Sequence, residues 1–290
     1  MDITLENEYL KIAVKSKGAE LFSVRGKNTQ LEYIWSGDPA VWGKTSPILF
    51  PIVGTLRNNT YLYHDKTYKL SRHGFARDSE FEIGEHNEQY SVFLLKDTAA
   101  SFENYPFTFE LFIKYALDKN LLKVTYEVKN TGITGMYFSI GGHPAFKIPV
   151  MTDTSYEDYF LEFNALETAG RWPINNDGLV EREPLPFFDN SARVDLSHKL
   201  FEKDALVFKD LNSDKVALKT ATHDHGIEFN FAGFPFLGLW AAKGGNFVCI
   251  EPWCGIADSV DHNHKLICKE GMQKLSPGST WSRQWTVRFY

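Results

Sequence analysis

Residues 10–14 (LKIAV) alternate apolar and polar side chains, the two-residue period of a strand with one face buried. After a turn at Gly18, residues 20–25 (ELFSVR) alternate again, and residues 32–35 predict a further short strand closed by Ser36-Gly37-Asp38-Pro39. Residues 61–70 predict a hairpin turning near His64-Asp65-Lys66, and residues 81–83 and 90–95 a strand pair. Residues 107–117 and 121–128 predict a long hairpin across Asp118-Lys119-Asn120. More strands are expected at 205–208, 216–218, 227–231, 236–240, 247–250 and 281–290. A single short helix is predicted through Ala99, Ala100 and Phe102, with Asp97 as its cap.

Two stretches depart from this rhythm. Residues 45–59 (TSPILFPIVGTLRNN) are apolar in the middle but broken by Pro47 and Pro51, which predicts a buried irregular or edge segment. Residues 151–198 are rich in Asp, Glu, Asn and Pro and predict surface loops and short strands. Many short strands separated by turn residues, with one marginal helix, favour an all-β sandwich or barrel over repeating βαβ units. One domain spanning residues 1–290 is expected.

Composition sharpens the picture in three ways. Hydrophobic residues make up 43% of the 290, enough for a large core, and no apolar run approaches the roughly 18 residues of a membrane span. The opening MDITLENEYLKIAV has neither a basic region nor an apolar signal core and reads as the start of a strand. Three cysteines cannot all pair, which favours a reducing compartment, so a soluble cytoplasmic protein with no membrane partner is expected. A formal charge of −6 with both signs interspersed argues against nucleic acid as a partner. Aromatic content is 15%; aromatics suit strands and also stack on apolar ligand faces, sugar rings included.

The candidate chemistry sits where predicted strands break. Residues 137–146 (YFSIGGHPAF) open as a strand and stop at Gly141-Gly142, leaving His143 on a corner stiffened by Pro144. An imidazole held there is either a proton-transfer group or the polar filling of a sheet corner. Arg57 follows a glycine-broken apolar run, His73 stands beside Gly74, and Asp204 precedes the strand at 205–208. Glu251 is expected to end the strand at 247–250, before Pro252-Trp253, where desolvation raises a carboxylate's pKa. Each alone reads equally as a cap or a loop ion pair. Together they supply a carboxylate base, an imidazole acid and hydroxyl donors, the set needed for acid–base chemistry on a polyol.

On these residues the chain resembles the aldose 1-epimerase (galactose mutarotase) family. It is most similar to the mutarotase-like branch encoded beside bacterial lactose and tagatose-6-phosphate genes, and it is also similar to glucose-6-phosphate 1-epimerases. The resemblance runs from the first strands to the closing KEGMQKLSPGSTWSRQWTV. It implies a large antiparallel β-sandwich with its cleft across one sheet, no cofactor, and a small-molecule sugar as partner, an aldohexose or hexose phosphate. By match to the family's motifs, His143, Glu251 and His73 are the implied catalytic residues, with Arg57 and Asp204 binding substrate. Glu251 then takes the anomeric proton while His143 protonates the ring oxygen; the ring opens, C1–C2 rotates, and closure gives the other anomer. Trp253 or Trp240 stacks on the ring or belongs to the core.

The chain departs from the free-sugar enzymes at Arg72-His73-Gly74-Phe75-Ala76-Arg77 and at Pro252-Trp253. Arg72 and Arg77 flank His73 and match phosphate oxygens as readily as an acidic neighbour. A sugar-binding protein without catalysis remains the alternative on the same fold. No metal is expected. Cys249 and Cys254 lack further zinc ligands, and the H-x-H pairs at 223–225 and 262–264 lie in polar stretches that read as solvent-facing loop.

Overall fold

The computed structural model describes residues 1–290. Its largest element is a nine-stranded antiparallel sheet. In spatial order its strands are Ser191–Asp195, Tyr159–Glu167, Lys215–Thr220, Ile227–Asn230, Thr280–Phe289, Leu121–Asn130, Phe109–Asp118, Tyr90–Lys96 and Glu82–His86. The long hairpin pairs Leu121 with Asp118 and Asn130 with Phe109, and strict alternation along both arms turns one face inward. A second sheet runs Leu206–Lys209, Phe236–Trp240, Phe247–Cys254, Ile140–Gly142 and Ile48–Leu49, with Ala145–Lys147 also paired to Phe247–Cys254. The N-terminal strands Asp2–Glu6, Leu10–Lys15 and Leu21–Gly26 form a separate three-stranded sheet. The molecule is all-β, as the strand periodicity implies, and no helix is long and apolar enough to cross a membrane.

The two larger sheets meet face to face at Gly142. A Cβ there would lie 2.4 Å from the Tyr126 hydroxyl and 3.2 Å from Trp285 Nε1, both side chains of the nine-stranded sheet. The opposite face of the smaller sheet is covered too, by a cluster that includes Leu49, Val53, Val180, Val207, Trp253 and Ile256. Coverage on both sides explains why all eight residues of Phe247–Cys254 are buried and why that strand reads as an unbroken apolar run.

Four expectations need correction. Residues 32–35 form no strand: Glu32 and Ile34 make only single bridges, to Arg25 and Phe146. The strand carrying Glu251 does not end there: it continues through Pro252 and Trp253 to Cys254, because Phe236–Trp240 pairs with it as far as Trp253. The stretch 151–198 is not all surface, since Tyr159–Glu167 is a nine-residue strand paired on both sides within the large sheet. The helix Ala99–Asn104 is capped by Thr98, whose hydroxyl accepts from Ser101 N, while Asp97 accepts from Phe109 N.

Candidate active site

Strand pairing brings the two central groups together. On one side of Phe247–Cys254, Gly141 pairs with Trp253 and Ala145 pairs with Cys249. Both pairs share one register, and continuing it between them sets His143 directly opposite Glu251. Side chains of directly opposed residues leave the sheet on the same face. The ladder is interrupted there because Pro144 has no N–H to donate. On the other side Glu251 is paired with Gly238, which has no side chain to crowd it.

His143 Nε2 lies 3.3 Å from Glu251 Oε2, and both residues are buried. The two atoms are close but not aligned as a hydrogen bond, and Glu251 Oε2 and His143 Nδ1 have no hydrogen-bond partner. Burial pushes the Glu251 carboxyl well above the usual carboxylate range, with the Asp204 charge adding to the effect and Arg72 opposing it. Burial, against an opposing backbone hydrogen bond and with help from the charges of Arg72 and Arg77, brings His143 down to about 3. Both shifts favour a neutral imidazole beside a protonated carboxyl. Moving one proton from Glu251 to His143 converts this into a carboxylate and an imidazolium without changing the number of protons held. One transferable proton and one free lone pair sit side by side.

The pair opens onto a cavity of about 300 Å³, at the small end of small-molecule sites. His73 lines it with its ring 5.9 Å from that of His143. Gly54 N donates to His73 Nδ1 at 3.1 Å, so the ring proton sits on Nε2 and that nitrogen is a donor. Burial, then His143, Arg72 and Arg77, hold the His73 pKa well below normal, so the ring stays neutral. His73 is held at φ 69° and Gly74 at φ 71°; a Cβ on Gly74 would fall 2.3 Å from the Phe50 carbonyl oxygen, so only glycine fits.

Trp253 forms part of the cavity lining, lying across Gly141 and Gly238: a Cβ on either would come within 2.5 Å of the indole. Trp42 stacks on His143 at 5.0 Å, and Trp240 meets His143 edge-on at 5.4 Å. Asp204, strained at φ 105°, lines the cavity and pairs with Arg72 at 3.3 Å. Arg77 lines it as well, donating Nη2 to the Arg72 carbonyl at 3.0 Å. The segment around Ile174 and Gly178 closes one side, tied down by Trp172 N to Val207 O and by Val180 N to Asp258 O.

Of the seven site residues read from the sequence, the fold gathers six: His143, Glu251, His73, Asp204, Arg77 and Trp253. Arg57 is the exception. Gly54 lines the cavity, but the chain then leaves it, and Arg57 donates Nη1 to the His262 carbonyl at 3.0 Å and its backbone N to Asp258 at 2.9 Å. Arg72 lines the cavity and Arg57 does not. Trp42, Ile174 and Gly178 had no local signal, because a turn and a polar stretch carry them. The H-x-H pairs stay outside: His223 contacts Tyr159 at 3.0 Å, and His262 lies 3.1 Å from Asp258.

The chain also matches known proteins over nearly its whole length. The model of the aldose 1-epimerase family matches residues 1–287. The chromosomal LacX protein of Lactococcus lactis subsp. lactis is 36% identical over 297 residues, covering 99% of each chain. A galactose mutarotase related enzyme from Lactobacillus acidophilus superposes with a TM-score of 0.95 at 36% identity, covering 100% of this chain and 97% of that one. A galactose mutarotase-like protein from Lactobacillus casei gives 0.94 at 30% identity, with both chains fully covered. With its fold, its cavity and its full-length match in accord, the chain belongs to the aldose 1-epimerase family.

Proposed function

We propose that this chain interconverts the α and β anomers of an aldohexose by acid–base opening and closing of the sugar ring. The observation that carries this is the cross-strand pair His143–Glu251, 3.3 Å apart and facing the cavity. In its carboxylate–imidazolium form, Glu251 takes the proton of the anomeric hydroxyl while His143 gives one to the ring oxygen. The C1–O5 bond breaks, the aldehyde forms, and C1–C2 rotates. Closure on the other face returns both protons, so no electrons or atoms are gained or lost. His73 Nε2 donates to an oxygen near the reacting centre. Asp204 accepts from sugar hydroxyls, and Trp253 offers a flat apolar surface to the ring.

The test is polarimetry with α-glucose and α-galactose, corrected for the spontaneous rate. Catalysis that Glu251→Gln abolishes supports the proposal. A chain that binds sugars without speeding interconversion is a binding protein on this fold.

Arg72 and Arg77 favour a second reading for the substrate, a hexose 6-phosphate. Both arginines line the cavity, and buried Arg77 Nε makes no hydrogen bond, its nearest acidic partner, Asp78, standing off at 3.7 Å. A phosphate accepting from them raises kcat/KM for the 6-phosphate over the free sugar, more so at low salt, and Arg77→Ala removes the difference. Equal use of both forms, unchanged in Arg77→Ala, assigns these arginines to holding the loop.

A further inference from the structure

Cys249 was weighed in the sequence with Cys254, but the fold gives it different neighbours. It lies two residues before Glu251 on the same strand, hence on the same face, and diagonal to His143 across the ladder. The Cys249 sulfur, a Glu251 oxygen and a His143 ring nitrogen lie within 4.8 Å of one another, and all three residues are buried.

We propose that His143, Cys249 and Glu251 form a binding site for a borderline-soft divalent cation of the Zn2+ type, and that the ion switches the acid–base pair off when it binds. Two ligands held about 2.0–2.1 Å from a tetrahedral ion stand about 3.4 Å apart. Glu251 Oε2 and His143 Nε2 are already at 3.3 Å, without forming a hydrogen bond that the ion has to break. Bringing the sulfur in needs a side-chain adjustment of about 1 Å, given zinc–sulfur bonds of about 2.3 Å.

Charge and donor type point to the same class of ion. Binding needs the thiol as thiolate, the Glu251 carboxyl as carboxylate and the imidazole neutral, any protons they carry passing to solvent. Their two negative charges cancel those of the ion, so a buried site is left neutral. A thiolate and an imidazole select zinc-like ions over Mg2+ or Ca2+, which prefer oxygen ligands only. Three protein ligands leave a fourth tetrahedral position for water or another donor. The lone pairs needed to move protons are then tied up on the metal, so occupancy stops the proposed interconversion.

The inhibitory part rests on the proposed activity; binding is read separately. Metal-free full-length protein is titrated with Zn2+ against a chromophoric chelator, then with Co2+. One tightly held ion per chain is expected, weakened at least tenfold in Cys249→Ser and unchanged in His223→Ala. Bound Co2+ gives a thiolate-to-metal charge-transfer band in the wild type, a readout that does not depend on the variants folding well. Zn2+ inhibits anomer interconversion reversibly with EDTA, and Cys249→Ser stays active with at least tenfold lower sensitivity. Absence of the cobalt–thiolate band, or Zn2+ binding indifferent to Cys249→Ser, overturns the metal site. Zn2+ held at Cys249 in a chain that does not interconvert anomers upholds the metal site and overturns the proposed activity.

Discussion

In the proposed reaction Glu251 and His143 work as one unit, so removing either is expected to have a shared outcome. Loss of one general acid or base typically lowers the rate about a hundred- to ten-thousand-fold. Glu251→Gln and His143→Asn are both expected to fall in that range in kcat, with unchanged circular dichroism. The pH profile carries a sharper expectation. An ordinary imidazole titrates near 6.5, but burial holds His143 at about 3 and Glu251 well above its normal value. The pair takes up a second proton only in strong acid, and it loses its last proton well above the usual carboxylate range. Activity on the acid side should thus persist far below pH 6.5, whereas an exposed histidine acting alone as base would lose activity there. Polarimetric kcat/KM across pH checks this. Asp204 is expected to hold the sugar and not to transfer protons, so Asp204→Asn should raise KM several-fold while moving the pH limbs little.

At the scale of strands and loops, glycines and one buried ion cluster hold the cavity's shape. A methyl on Gly141 meets the Trp253 indole at 2.5 Å and the Pro252 carbonyl oxygen at 2.9 Å. The second contact is backbone and cannot swing away, so Gly141→Ala should cost about 1–3 kcal/mol in urea unfolding and depress kcat by tilting Trp253. Behind the cavity wall, Asp258 accepts from Arg57 N at 2.9 Å and sits 3.1 Å from His262 and 3.2 Å from Lys269. Burial pushes its pKa up, but His262, Lys269 and the Arg57 N–H outweigh that and hold it at about 2. A carboxylate depressed in this way stabilises the fold above its unfolded value of 3.8 and ceases to as pH falls through about 2. Asp258→Asn should thus cost about 2 kcal/mol or more at pH 7, with the gap to wild type closing towards pH 2. Urea midpoints at several pH values measure it.

For the molecule as a whole, what was legible followed from period. Alternation located most of the longer strands but not Ser191–Asp195 or Gln273–Leu275, and it suggested one at 32–35 that does not form; the twice-covered strand Phe247–Cys254 was visible up to Ile250 as a continuous apolar run. Its extension through Glu251 and Pro252 was hidden, because a carboxylate and a proline read as an end until the pairing with Phe236–Trp240 is known. Tyr159–Glu167 was obscured by polar neighbours that its sheet partners tolerate on the exposed face. Arg57 was placed by motif order, which carries no information on the direction the chain takes after Gly54. The register that opposes His143 to Glu251 joins residues more than a hundred positions apart, and no local pattern encodes it. We propose that these sheets unfold as one unit, and a single calorimetric transition, shifted as a whole by Gly141→Ala, is the expected result.

The smaller sheet supplies the floor of the cavity from paired strands, while the rim comes from segments far apart in the chain: Arg72 to Arg77, the stretch at Ile174 and Gly178, and Asp204. Floor and rim are therefore free to diverge at different speeds over evolutionary time. Under the proposed function, a substitution at Arg72, Arg77 or Ile174, though not at His73, is expected to change which guest is admitted and to leave the strands carrying His143 and Glu251 where they are. A substitution beneath Trp253 disturbs every guest alike. On the proposed function, preference for one sugar or for a phosphate would then be exchangeable through a few rim replacements, with the His143–Glu251 pair left in place.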